Sequence, residues 1–152
     1  MSVDMPEAQA LRGTLMGFDF GRRRIGVAVG QTLTGTATAL ATVSHAEVPD
    51  WQTIGELIRE WRPAALVVGL PLDGEGNETE MSAEARHFGA QLAERYGKAV
   101  YYTDERLTSI AAGEQFAQAR ADGRARRSDA RRLDARAAQI ILENWLQSRP
   151  GV

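Results

Sequence analysis

From residue 15 the chain reads LMGFDF, then RIGVAVG at 24–30 and TGTATALATV at 34–43. Each run is short, apolar or β-branched, and set off from the next by a few polar positions, which is the pattern of strands. Gly26, Gly30 and Gly35 read as hairpin punctuation, so the three strands are expected to form an antiparallel meander. The period changes after Asp50. In WQTIGELIREW (51–61), Ile54, Leu57, Ile58 and Trp61 recur at helical spacing, with Asp50 as cap and Pro63 as stop. ALVVGLP (65–71) is almost wholly apolar, as a strand covered on both faces is. After the polar stretch LDGEGNETEM (72–81), Ser82 is placed to cap a helix through Tyr96, with Ala85, Phe88, Leu92 and Tyr96 along one side and Gly97 ending it. AVYYTDE (99–105) is a fifth strand, SIAAGEQFAQAR (109–120) a helix and RLDARAAQIILENWLQ (132–147) a closing helix. Between the last two, ADGRARRSDAR (121–131) has no apolar anchor and reads as a mobile loop.

A meander followed by strand–helix alternation predicts an α/β domain with one mixed five-stranded sheet and helices on both faces. That domain covers 14–147, with 1–13 as a flexible lead-in and 148–152 as a tail. A length of 152 residues suits one full core. The chain has no cysteine, which removes disulfides, zinc–thiolate sites and a thiol nucleophile. The first residues lack the pattern of a signal peptide, and no run is long enough to span a membrane, so a cytoplasmic protein without membrane contact is expected. The formal net charge of −2 argues neither for nor against nucleic acid, but the distribution does. Residues 120–136 hold seven arginines against three acids, and Arg22, Arg23 and Arg24 form a second basic cluster.

At three places along the chain, acids stand where apolar residues would be cheaper. Asp19 lies inside an apolar strand and would be strongly desolvated there. Capping of the turn at Gly21 is the plain alternative. Asp104 and Glu105 close the strand AVYYT and precede Arg106, with which a simple ion pair is the plain reading. Asp134 is the most informative. It falls in line with Ala138, Ile141 and Trp145 at i, i+4, i+7 and i+11, at the head of a buried stripe, while Arg131, Arg136, Gln139, Glu143 and Asn144 can face water. Placement near a helix N-terminus accounts for an acid there but not for its alignment with the core face. Three carboxylates with neither cysteine nor a histidine cluster suit Mg²⁺ or Mn²⁺. Two such ions roughly 4 Å apart serve phosphodiester hydrolysis, and arginines supply a rim for phosphate.

FDFGRRRIGVAVGQTLTGTA at 18–37, VVGLPLDGEG at 67–76, DERLTS at 104–109 and LDARAAQIILENWL at 133–146, in this order, resemble the YqgF family, also called RuvX. The resemblance covers about residues 14–147 and implies a ribonuclease H-like fold. It also implies nuclease activity, with the family described both for pre-16S rRNA processing and for Holliday junction resolution. By that resemblance Asp19, Glu105 and Asp134 are the catalytic and metal-holding acids, with Mg²⁺ or Mn²⁺ as cofactor. Arg22, Arg23, Arg106, Arg124, Arg126, Arg127 and Arg131 are the candidates for nucleic-acid contact. Thr108 and Ser109 are expected to cap the following helix, with phosphate contact as the alternative. The implied partner is RNA, namely the 5′ precursor end of 16S rRNA in ribosome biogenesis, free or within a ribosomal particle. Branched DNA and a non-catalytic nucleic-acid adaptor are the alternatives. A further class with a D-x-G strand, the actin and sugar-kinase ATPases, needs a second domain for which there is no room. No dimer signature is legible, so a monomer or weak dimer is expected. The chain departs from common family patterns twice. Val29-Gly30-Gln31 stands where many members carry Ser-Asp, and the end of ALVVGLP carries no acid, so the second carboxylate has to come from Glu105.

Overall fold

The computed structural model describes residues 12–105 and 127–148, with side chains in the last helix from Arg131 onward. Among the described residues, the elements are β1 (Thr14–Phe20), β2 (Arg24–Gln31), β3 (Thr36–Ser44), α1 (Trp51–Trp61), β4 (Ala65–Leu70), α2 (Glu80–Tyr96), β5 (Ala99–Asp104) and α3 (Arg127–Ser148). They build a five-stranded sheet in the order β3-β2-β1-β4-β5. The first three strands are antiparallel, as expected for a meander, while β4 runs parallel to β1 and β5 parallel to β4.

Strand alternation divides the core into two. Met16 and Phe18 face α1 and α2, packing with Ile54, Ile58, Phe88 and Leu92. Leu15 faces the other way, with Ala28 and Val67, against Ala138, Ile141, Leu142 and Trp145 of α3. Every residue of β4 is buried, because helices cover both of its faces. The same alternation puts Asp19 on the α3 side. Asp134 begins the stripe that packs on that side, so the topology brings the two acids to one end of the sheet.

Several details differ from the sequence expectation. Gly26 and Gly30 lie within β2; of the three glycines, Gly35 sits in the turn, with φ 69°. The N-cap of α2 is Thr79, and Ser82 is the third helical residue. The Thr79 amide donates to Ser82 Oγ at 2.8 Å, and the Ser82 hydroxyl donates to the Pro71 carbonyl, which ties the helix start to the end of β4. The closing helix begins at Arg127, five residues before the expected start. Arginine and alanine favour helix without supplying the apolar period by which a helix is read. Gln139 and Glu143 do not simply face water. They bond the backbone of Ala37 on the edge strand β3, Gln139 Nε2 donating to its carbonyl at 2.9 Å and its amide donating to Glu143 Oε1 at 3.1 Å. α3 thereby satisfies groups that an open sheet edge leaves unpaired. The expected helix at 109–120, and residues 121–126 of the expected loop, lie outside the described residues. Among the described residues no helix is long and apolar enough to cross a membrane.

Candidate active site

Asp19 retains partial solvent access, yet protein crowds its carboxyl on most sides. Burial pushes its pKa well above the usual carboxylate range, and the nearby Glu105 and Asp134 push it the same way. Glu105 is also raised, by burial first, while its hydrogen bond with Asp19 works against the rise. The two carboxyls thus lie side by side, within hydrogen-bond reach of each other.

The route by which Glu105 reaches Asp19 is set by a glycine. Glu105 follows β5, the outer strand, and β4 lies between β5 and β1. Gly69 of β4 pairs with Thr103, and a Cβ built on Gly69 would stand 2.7 Å from Glu105 Oε2 and 2.5 Å from Ile141 Cδ1. The missing side chain is the gap through which the Glu105 carboxyl crosses β4. The Glu105 amide is fixed by donating to the Leu70 carbonyl at 3.2 Å.

A second glycine admits Asp134. Gly26 is the β2 partner of Asp19, and a Cβ there would fall 1.9 Å from the Asp134 carbonyl oxygen. The backbone of α3 therefore lies directly on β2 beside Asp19. The Asp134 carboxylate is not joined to the other two acids by a hydrogen bond. Its Oδ2 accepts from Arg24 Nε at 2.6 Å. Among the described residues no three of Asp, Glu and His cluster closely enough to hold a metal ion. Gly69 carries a signal in the sequence, since a glycine within an apolar strand marks a close approach, whereas Gly26 reads there as hairpin punctuation.

A profile of the RuvX family, described as Holliday junction resolvase, matches residues 13–148. A protein of Xanthomonas euvesicatoria pv. vesicatoria named "Putative pre-16S rRNA nuclease" is 50% identical over 145 residues, covering 93% of this chain and 94% of its own. A protein of Xanthomonas axonopodis pv. citri with the same name is 49% identical over the same shares. The chain belongs to the RuvX family. Its fold is that of the ribonuclease H-like RuvC enzymes. The structure of Thermus thermophilus RuvC in complex with a Holliday junction substrate superposes with a TM-score of 0.53 over 92% of this chain and 97% of that one, at 20% identity.

The described arginines of this RuvX protein differ in their partners. Arg22 is turned to α2, its guanidinium on Glu84 with Nη2 at 2.6 Å from Oε2. The turn that carries it is held by His45, whose amide donates to the Arg23 carbonyl at 2.9 Å and whose Nδ1–H donates to the Gly21 carbonyl at 2.7 Å. Arg23 is exposed beside it. Arg131 is exposed, with Nη2 donating to the Thr42 carbonyl at 3.4 Å. Arg127 opens α3. Arg106, Arg124 and Arg126, with Thr108 and Ser109, lie outside the described residues. Asp104 is exposed at the end of β5, and its charge contributes to the rise of Glu105.

Proposed function

We propose that this chain is a divalent-metal-dependent nuclease that hydrolyses phosphodiester bonds in the 5′ precursor of 16S rRNA, with Asp19, Glu105 and Asp134 as its acids. The observation that carries the reading is the hydrogen-bonded, desolvated pair Asp19–Glu105, assembled across Gly69 from two strands that are not neighbours. Two buried carboxyls side by side destabilise a fold, and such an arrangement persists where function compensates for it. The donor set is oxygen alone, which fits a hard cation such as Mg²⁺ or Mn²⁺. Asp19 and Glu105 would hold the ion, with Asp134 added from α3. A bound ion supplies Lewis acidity toward the phosphoryl group and neutralises developing charge. The chain's own part is to hold Asp19 and Glu105 side by side with Asp134 at the same end of the sheet, to restrict water around Asp19, and to offer Arg23 and Arg131 to the phosphate backbone. The pre-16S substrate is taken from the names of the relatives at about 50% identity.

The test is cleavage by the purified chain of labelled RNA carrying the 5′ precursor end of 16S rRNA, beside a labelled four-way DNA junction, with Mg²⁺ or Mn²⁺. Cutting of the RNA is expected. Cutting of the junction alone would move the substrate to branched DNA.

Gly69→Ala should separate site geometry from folding. The atoms that the new methyl meets are side-chain atoms of Glu105 and of the buried Ile141 rather than backbone, so stability should fall by about 1–3 kcal/mol. Displacing the Glu105 carboxyl should lower the cleavage rate by about 10–100-fold. A melt beside a rate measurement checks both. An unchanged rate would mean that Glu105 need not cross β4 at this point.

A further inference from the structure

Arg24 is placed to do more than begin a strand. Arg24, Gly26 and Ala28 share the face of β2 that meets α3, which is also the face of Asp19. Gly26 contributes no side chain between Arg24 and the acids. The guanidinium engages Asp134 through Nε at 2.6 Å, in a pair whose side chains remain 39% and 26% exposed. It is thus a cation built into an acidic site, bonded to the one acid that does not share in the Asp19–Glu105 hydrogen bond, and accessible enough to leave.

We propose that Arg24 is an internal counter-cation that holds the Asp134 carboxylate and that a divalent ion must displace to recruit Asp134. This rests on the metal-nuclease reading above. Arg24 is a positioning residue in this scheme. It orients Asp134 at the head of α3 and offsets its charge beside Asp19, and it makes metal binding a competition between two cations for one carboxylate. Arginine suits the task because its charge is permanent and its fork fixes the direction of the carboxylate.

The experiment is calorimetric titration of the full chain with MnCl₂, for the wild type, Arg24→Gln and Arg24→Lys, with melts in chelator and in excess Mn²⁺. Removing the competing charge should tighten Mn²⁺ binding by about fivefold in Arg24→Gln. The same variant should melt about 2–4 °C lower in chelator, and Mn²⁺ should close that gap. Arg24→Lys keeps the charge and should bind Mn²⁺ as the wild type does. A purely structural role would move the melts without tightening the metal. Weaker or unchanged Mn²⁺ binding by folded Arg24→Gln, with normal binding by the wild type, overturns the counter-cation and leaves the nuclease reading standing. Absence of Mn²⁺ binding in all three proteins overturns both.

Discussion

Gly26→Ala is expected to lose about 3–5 kcal/mol of stability, among the largest effects any single methyl can have in this fold. The new carbon meets backbone, the Asp134 carbonyl carbon and oxygen and the Ala135 nitrogen, so no side-chain rotation relieves it. Relief requires lifting α3 off β2. That would open the core formed by Ala28, Ala138, Ile141 and Leu142 and carry Asp134 away from Asp19. Gly74→Ala is the control, since its Cβ would meet nothing within 4 Å. Urea denaturation of the two variants should separate them clearly, with Gly74→Ala close to the wild type. Equal midpoints would mean that α3 does not lie on Gly26 as described.

Asp19→Asn should do the opposite to stability while removing activity. The native pKa of Asp19 is raised well above its value in the unfolded chain, first by burial and then by the neighbouring acids. The folded state therefore binds more protons than the unfolded state at any pH between the two values. Stability then falls as pH rises from about 4, the ordinary carboxylate range, through the raised native value. Glu105 is raised as well and steepens the same fall. An asparagine keeps a donor for Glu105 and removes the titration. In chelator at pH 8 the variant should melt about 4 °C above the wild type, a gain of ~1 kcal/mol for a domain of this size. At pH 4 the two should nearly coincide. A variant that melts lower at pH 8 would show that the Asp19 carboxyl is not strained by burial.

The strands, the first and last helices and the two-faced sheet could be read from the chain because each carries its own period. The acids could be read for the same reason. Asp19 interrupts an apolar run, and Asp134 heads a stripe that continues through Ala138 and Ile141. What escaped the reading depends on contacts between elements. Gly26 and Gly30 look like turn residues along the chain and become packing residues only when α3 is laid on β2. Gln139 and Glu143 look like solvent-facing positions until the edge of β3 arrives beside them. Ser82 is as plausible a cap as Thr79 until the Pro71 carbonyl takes its hydroxyl. The engagement of Asp134 by Arg24 spans 110 residues, and no local pattern marks it. The gap at Gly69 is intermediate. A glycine in ALVVGL was visible, but the carboxyl that passes it comes from a different strand.

The central role of the Asp19–Glu105 pair is tested by the rate of metal-dependent cleavage of the labelled 16S precursor RNA by the wild type, Asp19→Asn and Glu105→Gln, all shown to be folded by their melts. Cutting by the wild type that stops in chelator is expected, with a loss of at least about a hundredfold in each variant. Cutting by Glu105→Gln at the wild-type rate would contradict that role, because the pair assembled across Gly69 would then have no part in the chemistry.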